Sequence, residues 1–137
     1  MTVYQMSATL EMVEASHSLP QAYDRCIEFM LEGLALVRNT LVPPVKAGLE
    51  TAERYWRTGE KDVSLERAKV ALWKELDSGD IHGPAEAGAR AVLCTLEPTA
   101  PTDDIFELLD WYTQFLADAG GRPGKIISLM QKHFLSD

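Results

Sequence analysis

The residues that could do chemistry are thinly spread. His17, His82 and His133 fall in three separate segments, and none has a second histidine or cysteine at i+3 or i+4 to put two metal ligands on one helical face. HExxH and CxxC are absent, and no serine stands in GxSxG. "GEKD" and "GGRPGK" hold only parts of a phosphate loop; the second precedes a helix, whose N–H groups could meet an anion, but it reads first as an interhelical turn. Carboxylates cluster twice, as Glu50 and Glu53 in "ETAE" and as Asp24, Glu28 and Glu32 in "DRCIEFMLE". Bundles that hold two metals add a Glu-x-x-His pair, and no histidine accompanies either cluster. Asp24, Glu28 and Glu32 fall opposite much of an apolar stripe, so a solvated face is expected of them. No metal and no cofactor are expected.

A third acidic stretch is the most concentrated. "TDDIFELLDWYTQFLADAG", residues 102–120, carries five acids and no base. At helical spacing Ile105, Leu108, Leu109, Tyr112, Phe115 and Leu116 form a broad apolar face, and Asp103, Glu107, Asp110, Gln114 and Asp118 a polar stripe. Asp103 and Asp104 have a local reason to be acidic, because negative charge in the first turn favours the helix dipole. Glu107 and Asp110 do not, since like charges three or four residues apart weaken a helix slightly. The stripe reads either as a solvated face partly neutralised by the basic tail (Arg122, Lys125, Lys132) or as a docking face for a basic protein. Trp111, beside Asp110, is the aromatic that would anchor such a contact. Trp56, Trp73 and Trp111 each adjoin an apolar stripe, and core or core-edge packing is the first expectation for all three.

The elements that must position these groups are helices. Leu (17) and Ala (15) outnumber Val (8) and Ile (5), which favours helix over sheet, and no segment alternates long enough to be a strand. Periodicity and stop signals predict helices at about 2–14, 19–41, 44–58, 64–77, 84–96, 103–118 and 124–135. Ser18 and Gln21 fit a capping box with Pro20 in the first turn, Pro43 and Pro44 end the second helix, and Ser64 is the expected N-cap of the fourth. Gly59 and Gly79 end the third and fourth helices. Gly88 with Ala85, Ala89 and Val92 gives the fifth a smooth face that lets neighbours approach. The fold class is thus all-α, one domain over 1–137, an irregular bundle of six or seven amphipathic helices.

Composition narrows the function. Thirteen basic and 21 acidic residues give a net charge of −8, which argues against nucleic acid as a partner. No apolar run reaches the ~20 residues that span a bilayer, and no signal peptide is visible. Cys26 and Cys94 read as buried thiols of a cytoplasmic protein.

"LETAERYWRTGE", "LERAKVALWKELDSGD" and the Ala-rich helix after them resemble the helical immunity proteins that bacteria pair with toxins. The shared feature is a helix ending near W-R-x-G-E followed by a short amphipathic one, over about 45 residues. The resemblance brings no residue roles; it implies a binding protein that blocks a basic toxin. The leading expectation is therefore a non-catalytic binding domain whose contact residues are Asp103, Glu107, Asp110, Trp111, Gln114 and Asp118, and the reading leans away from an enzyme. Two alternatives stand beside it. One is a ligand or catalytic site assembled in three dimensions from Glu50, Glu53, Arg54 and Arg57 with a histidine. The other is a homo-oligomeric scaffold that uses the Val3, Met6, Leu10, Val13 seam of the N-terminal helix.

Overall fold

The computed structural model describes residues 3–16, 22–59, 62–97 and 105–135. Among them run seven α-helices: α1 (Val3–Ser16), α2 (Tyr23–Ala35), α3 (Pro43–Thr58), α4 (Ser64–Asp77), α5 (Pro84–Leu93), α6 (Ile105–Asp118) and α7 (Pro123–Met130). A π-helical turn, Gln131–Leu135, continues α7. No strand occurs among the described residues. The domain is all-α, and none of its described helices is long and apolar enough to cross a membrane.

One core joins every helix. α5 packs most extensively on α6, α3 on α4, and α1 on α7. Close approach is bought with small residues. Ala87, Gly88, Ala89, Ala91 and Val92 of α5 are buried, and a Cβ on Gly88 would lie 2.7 Å from Leu41 Cδ2. α2 meets α6 in the same way at Gly33, where a Cβ would stand 2.5 Å from the Tyr112 hydroxyl. That hydroxyl donates to the Met30 carbonyl at 2.5 Å, and complete burial pushes its pKa far up. Phe29 packs edge-on against both Tyr112 and Phe134, tying α6 and the C-terminal turn to α2.

Several local expectations change. The second helix stops at Ala35 instead of running to 41: Leu36 and Val37 donate to carbonyls three residues back, a 3-10 turn covers Arg38–Thr40, and Val42 is extended ahead of the prolines. After this corner α3 packs back on α2. The fifth helix ends at Leu93: the Cys94, Thr95 and Leu96 N–H groups donate three residues back, and the Thr95 hydroxyl also donates to the Val92 carbonyl. Ser64 is the first residue of α4 and does not cap it by its side chain; Asp62 Oδ1 accepts the Ser64 N–H at 2.9 Å. Ser18, Pro20 and Gln21 lie outside the described residues. Gly59 closes α3 as expected, at φ 73° with its N–H on the Tyr55 carbonyl. The α1 seam is used inside the monomer: Met6, Leu10 and Val13 are buried in the chain's own core. Among the described side chains of α1, the large apolar residue left exposed is Met12.

Candidate functional site

The six residues expected to form a docking face mostly share one helix. On α6, Ile105, Leu109, Tyr112, Thr113 and Leu116 are buried, so the opposite side looks outward. Glu107 and Asp110 are half-buried, Gln114 and Asp118 exposed, and Trp111 is 52% exposed. Asp103, with its neighbour Asp104, lies outside the described residues. Neither Asp110 nor Asp118 forms an ion pair among the described residues. Toward the end of the helix Asp118 and Phe115 share a shallow recess of about 420 Å³ with Glu86 and Arg90 of α5. Of the basic tail, Lys132 is engaged elsewhere. Its ammonium lies 2.7 Å from Glu32 Oε1 on α2.

Glu32 belongs to a second feature. α2 and α3 line a groove of about 820 Å³, closed at one end by His133 of the π-helical turn. The α2 wall is a single helical face, Asp24, Ile27, Glu28, Leu31, Glu32 and Ala35, at spacings of three and four. α3 contributes Glu53, Trp56 and Arg57. The solvated face expected for Asp24, Glu28 and Glu32 holds for the first two, which are exposed. Glu32 is half-buried and engaged: His133 Nε2 lies 2.5 Å from its second oxygen, and the Lys132 hydrogen bond, then His133, hold its carboxyl below the usual range. The π geometry, which packs more residues into a turn than an α-helix, sets these adjacent side chains around one carboxylate while Phe134 stays in the core.

Glu53 is the most buried acid of the groove. It takes the Arg38 guanidinium from the corner after α2, and Arg57 one turn on stands 3.6 Å away. Trp56 is fixed from below, its indole N–H donating to the Thr95 carbonyl at 2.9 Å and its ring lying edge-on to Tyr23 and Tyr55. Of the residues suggested for a site assembled in space, Glu53, Arg57 and a histidine, His133, do line one groove. Glu50 is exposed and is not part of the lining, and Arg54 faces a different cleft, between α3 and α4. There Asp62 is held below the usual carboxylate range by Ser64 first, with Arg54 and Arg67 helping.

Sequence spacing displayed the 24-28-32 row but not its neighbours. The α2–α3 corner and the π turn that bring Glu53, Trp56 and His133 opposite it have no periodic signature.

The remaining reactive groups are inert. Cys26 and Cys94 are buried and unpaired, and burial pushes both thiols up to about 12. Burial also raises the Tyr23 phenol, whose O–H donates to the Glu97 carbonyl. No three His, Cys, Asp or Glu side chains among the described residues are placed to hold a metal ion. No protein-family model, curated protein or solved structure matches the chain.

Proposed function

We propose that this is a non-catalytic binding domain for a basic protein, of the kind an immunity-like inhibitor of a basic toxin would be. The observation that carries the reading is the outward side of α6, where Glu107, Asp110, Gln114 and Asp118 surround a tryptophan left half in solvent. An exposed tryptophan amid carboxylates unites the two things an interface needs, an aromatic anchor and a field that steers a cationic partner. Asp103 extends the same stripe by sequence. The overall charge of −8 favours such an encounter and disfavours nucleic acid. A cytoplasmic setting belongs to the proposal, on the strength of two thiols kept unpaired in the core.

Pull-down from native lysate with Glu107→Lys/Asp110→Lys tests the reading. Both positions are half-buried, so far-ultraviolet circular dichroism of the variant is the control for the fold; with helix content kept, recovery of a basic partner should fall, most strongly at low salt. Equal recovery by both proteins sinks the α6 face as the contact.

The groove favours a second reading, a small-ligand or catalytic site, because an acid, an arginine and a histidine converge there. Each is already engaged within the protein: Glu53 by Arg38 and Arg57, and His133 by Glu32. That arrangement supports a structural role for them more than a catalytic one.

A further inference from the structure

The groove between α2 and α3 is lined by apolar and acidic side chains together. Its α2 wall alternates apolar and acidic positions, Ile27 and Leu31 beside Asp24 and Glu28, and Trp56 lies across from them. Asp24 and Glu28 are exposed and form no ion pair among the described residues. They stand one turn apart, about 6 Å along the helix axis. The third carboxylate of that row, Glu32, shows what the row receives, because a lysine ammonium from a distant part of the chain sits on it at 2.7 Å. The volume of about 820 Å³ suits a few side chains and not a whole domain.

We infer that this groove seats a lysine-bearing segment of a partner protein, with an apolar side chain against Ile27, Leu31 and Trp56 and successive ammonium groups on Glu28 and Asp24. The inference rests on the binding reading above and adds a second contact surface to it, distinct from α6. Lysine suits the site because its aliphatic stem can lie along the apolar floor while the charged head stays at the acidic rim. The segment continues the pattern Lys132 begins, ammonium upon carboxylate along one helix face.

The chain has three tryptophans, and each reports a different surface: Trp56 the groove, Trp111 the outer side of α6, Trp73 the exposed side of α4. Their indole N–H signals in a nitrogen–proton correlation spectrum locate a bound probe directly. The probe is a short synthetic peptide of alternating lysine and leucine, titrated into the full chain at low and moderate salt. The Trp56 signal and the backbone signals of α2 should move, with Trp111 and Trp73 nearly still. Asp24→Asn/Glu28→Gln should weaken the peptide roughly tenfold and Asp24→Lys/Glu28→Lys further, whereas Glu107→Lys/Asp110→Lys should leave the Trp56 response intact. The uncharging pair guards against a fold effect of reversal, since Asp24 also lies in the first turn of α2. Movement of Trp111 alone overturns the groove and leaves the α6 reading standing. Movement of all three that vanishes together with salt overturns it as diffuse attraction, and no movement of any indole overturns both surfaces for this class of partner.

Discussion

Replacing Gly33 by alanine, alone and together with Tyr112→Phe, tests the contact that fixes α2 against α6. In an isolated helix the substitution would help, by up to about 1 kcal/mol. Here the new Cβ would stand 2.5 Å from the Tyr112 oxygen and 2.9 Å from Leu116 Cδ2, closer than atoms are found. Both obstacles belong to side chains buried in the core, so relief requires the helices to part or the tyrosine to surrender its bond to Met30. Overpacking of this kind costs roughly 1–3 kcal/mol and a lost hydrogen bond about 1 more, so Gly33→Ala should destabilise by about 1–3 kcal/mol net of the propensity gain. Tyr112→Phe alone should cost about 1 kcal/mol. In the double variant the hydroxyl, the nearer obstacle, is gone. The two losses should then fall short of additivity by about 1 kcal/mol, with the Leu116 contact remaining. Urea unfolding followed by far-ultraviolet circular dichroism on the four proteins measures this. Losses that add within about 0.3–0.5 kcal/mol would refute the close approach, because groups in contact do not act independently.

Arg38→Ala removes the principal partner of a buried carboxylate while Arg57 stays near, and should destabilise by about 1–2 kcal/mol in urea unfolding, below the roughly 3–5 of a fully buried pair. Glu32 has its folded pKa lowered, so its contribution to stability is present above the unfolded-state value of about 4.3 and is lost as pH falls through the lower folded value. Glu32→Gln should flatten that limb of the stability-against-pH curve, and an unchanged limb would count against the Lys132 and His133 contacts. Cys26 and Cys94, with pKa values pushed up to about 12, should resist an aromatic disulfide reagent in the native protein and react once it is unfolded. Prompt native labelling of either would contradict its burial.

What the sequence displayed and what it hid differ in kind. Helices with a regular apolar stripe were readable in place: α4 at 64–77 and the body of α6 follow directly from the spacing of leucines and aromatics. The end of α2 was not, because Leu34, Val37 and Leu41 continue the stripe and remain buried although the helix has stopped. Burial kept the period while the backbone turned, under the demands of Pro43 and of the Arg38–Glu53 contact. On α6, helical phase leaves Gln114 and Asp118 exposed and Glu107 and Asp110 half-buried, away from the buried Ile105, Leu109, Tyr112 and Leu116. Partners across the fold obey no such phase. Lys132 was placed near α6 by its position in the chain, and the π turn delivers it to α2.

The small-residue face of α5 has a consequence for how such a domain can evolve. Four alanine or glycine positions and a valine are enclosed there, and α5 touches α3, α4 and α6 at once. Enlarging one of these buried residues would press on packed neighbours, as a Cβ on Gly88 would on Leu41, so drift in the interior is tightly confined. The outward sides of α2, α4 and α6 carry no such restriction: their exposed positions can exchange charge and aromatic character at little structural penalty. A lineage built on this frame can change what it recognises, surface by surface, while inheriting its architecture unaltered.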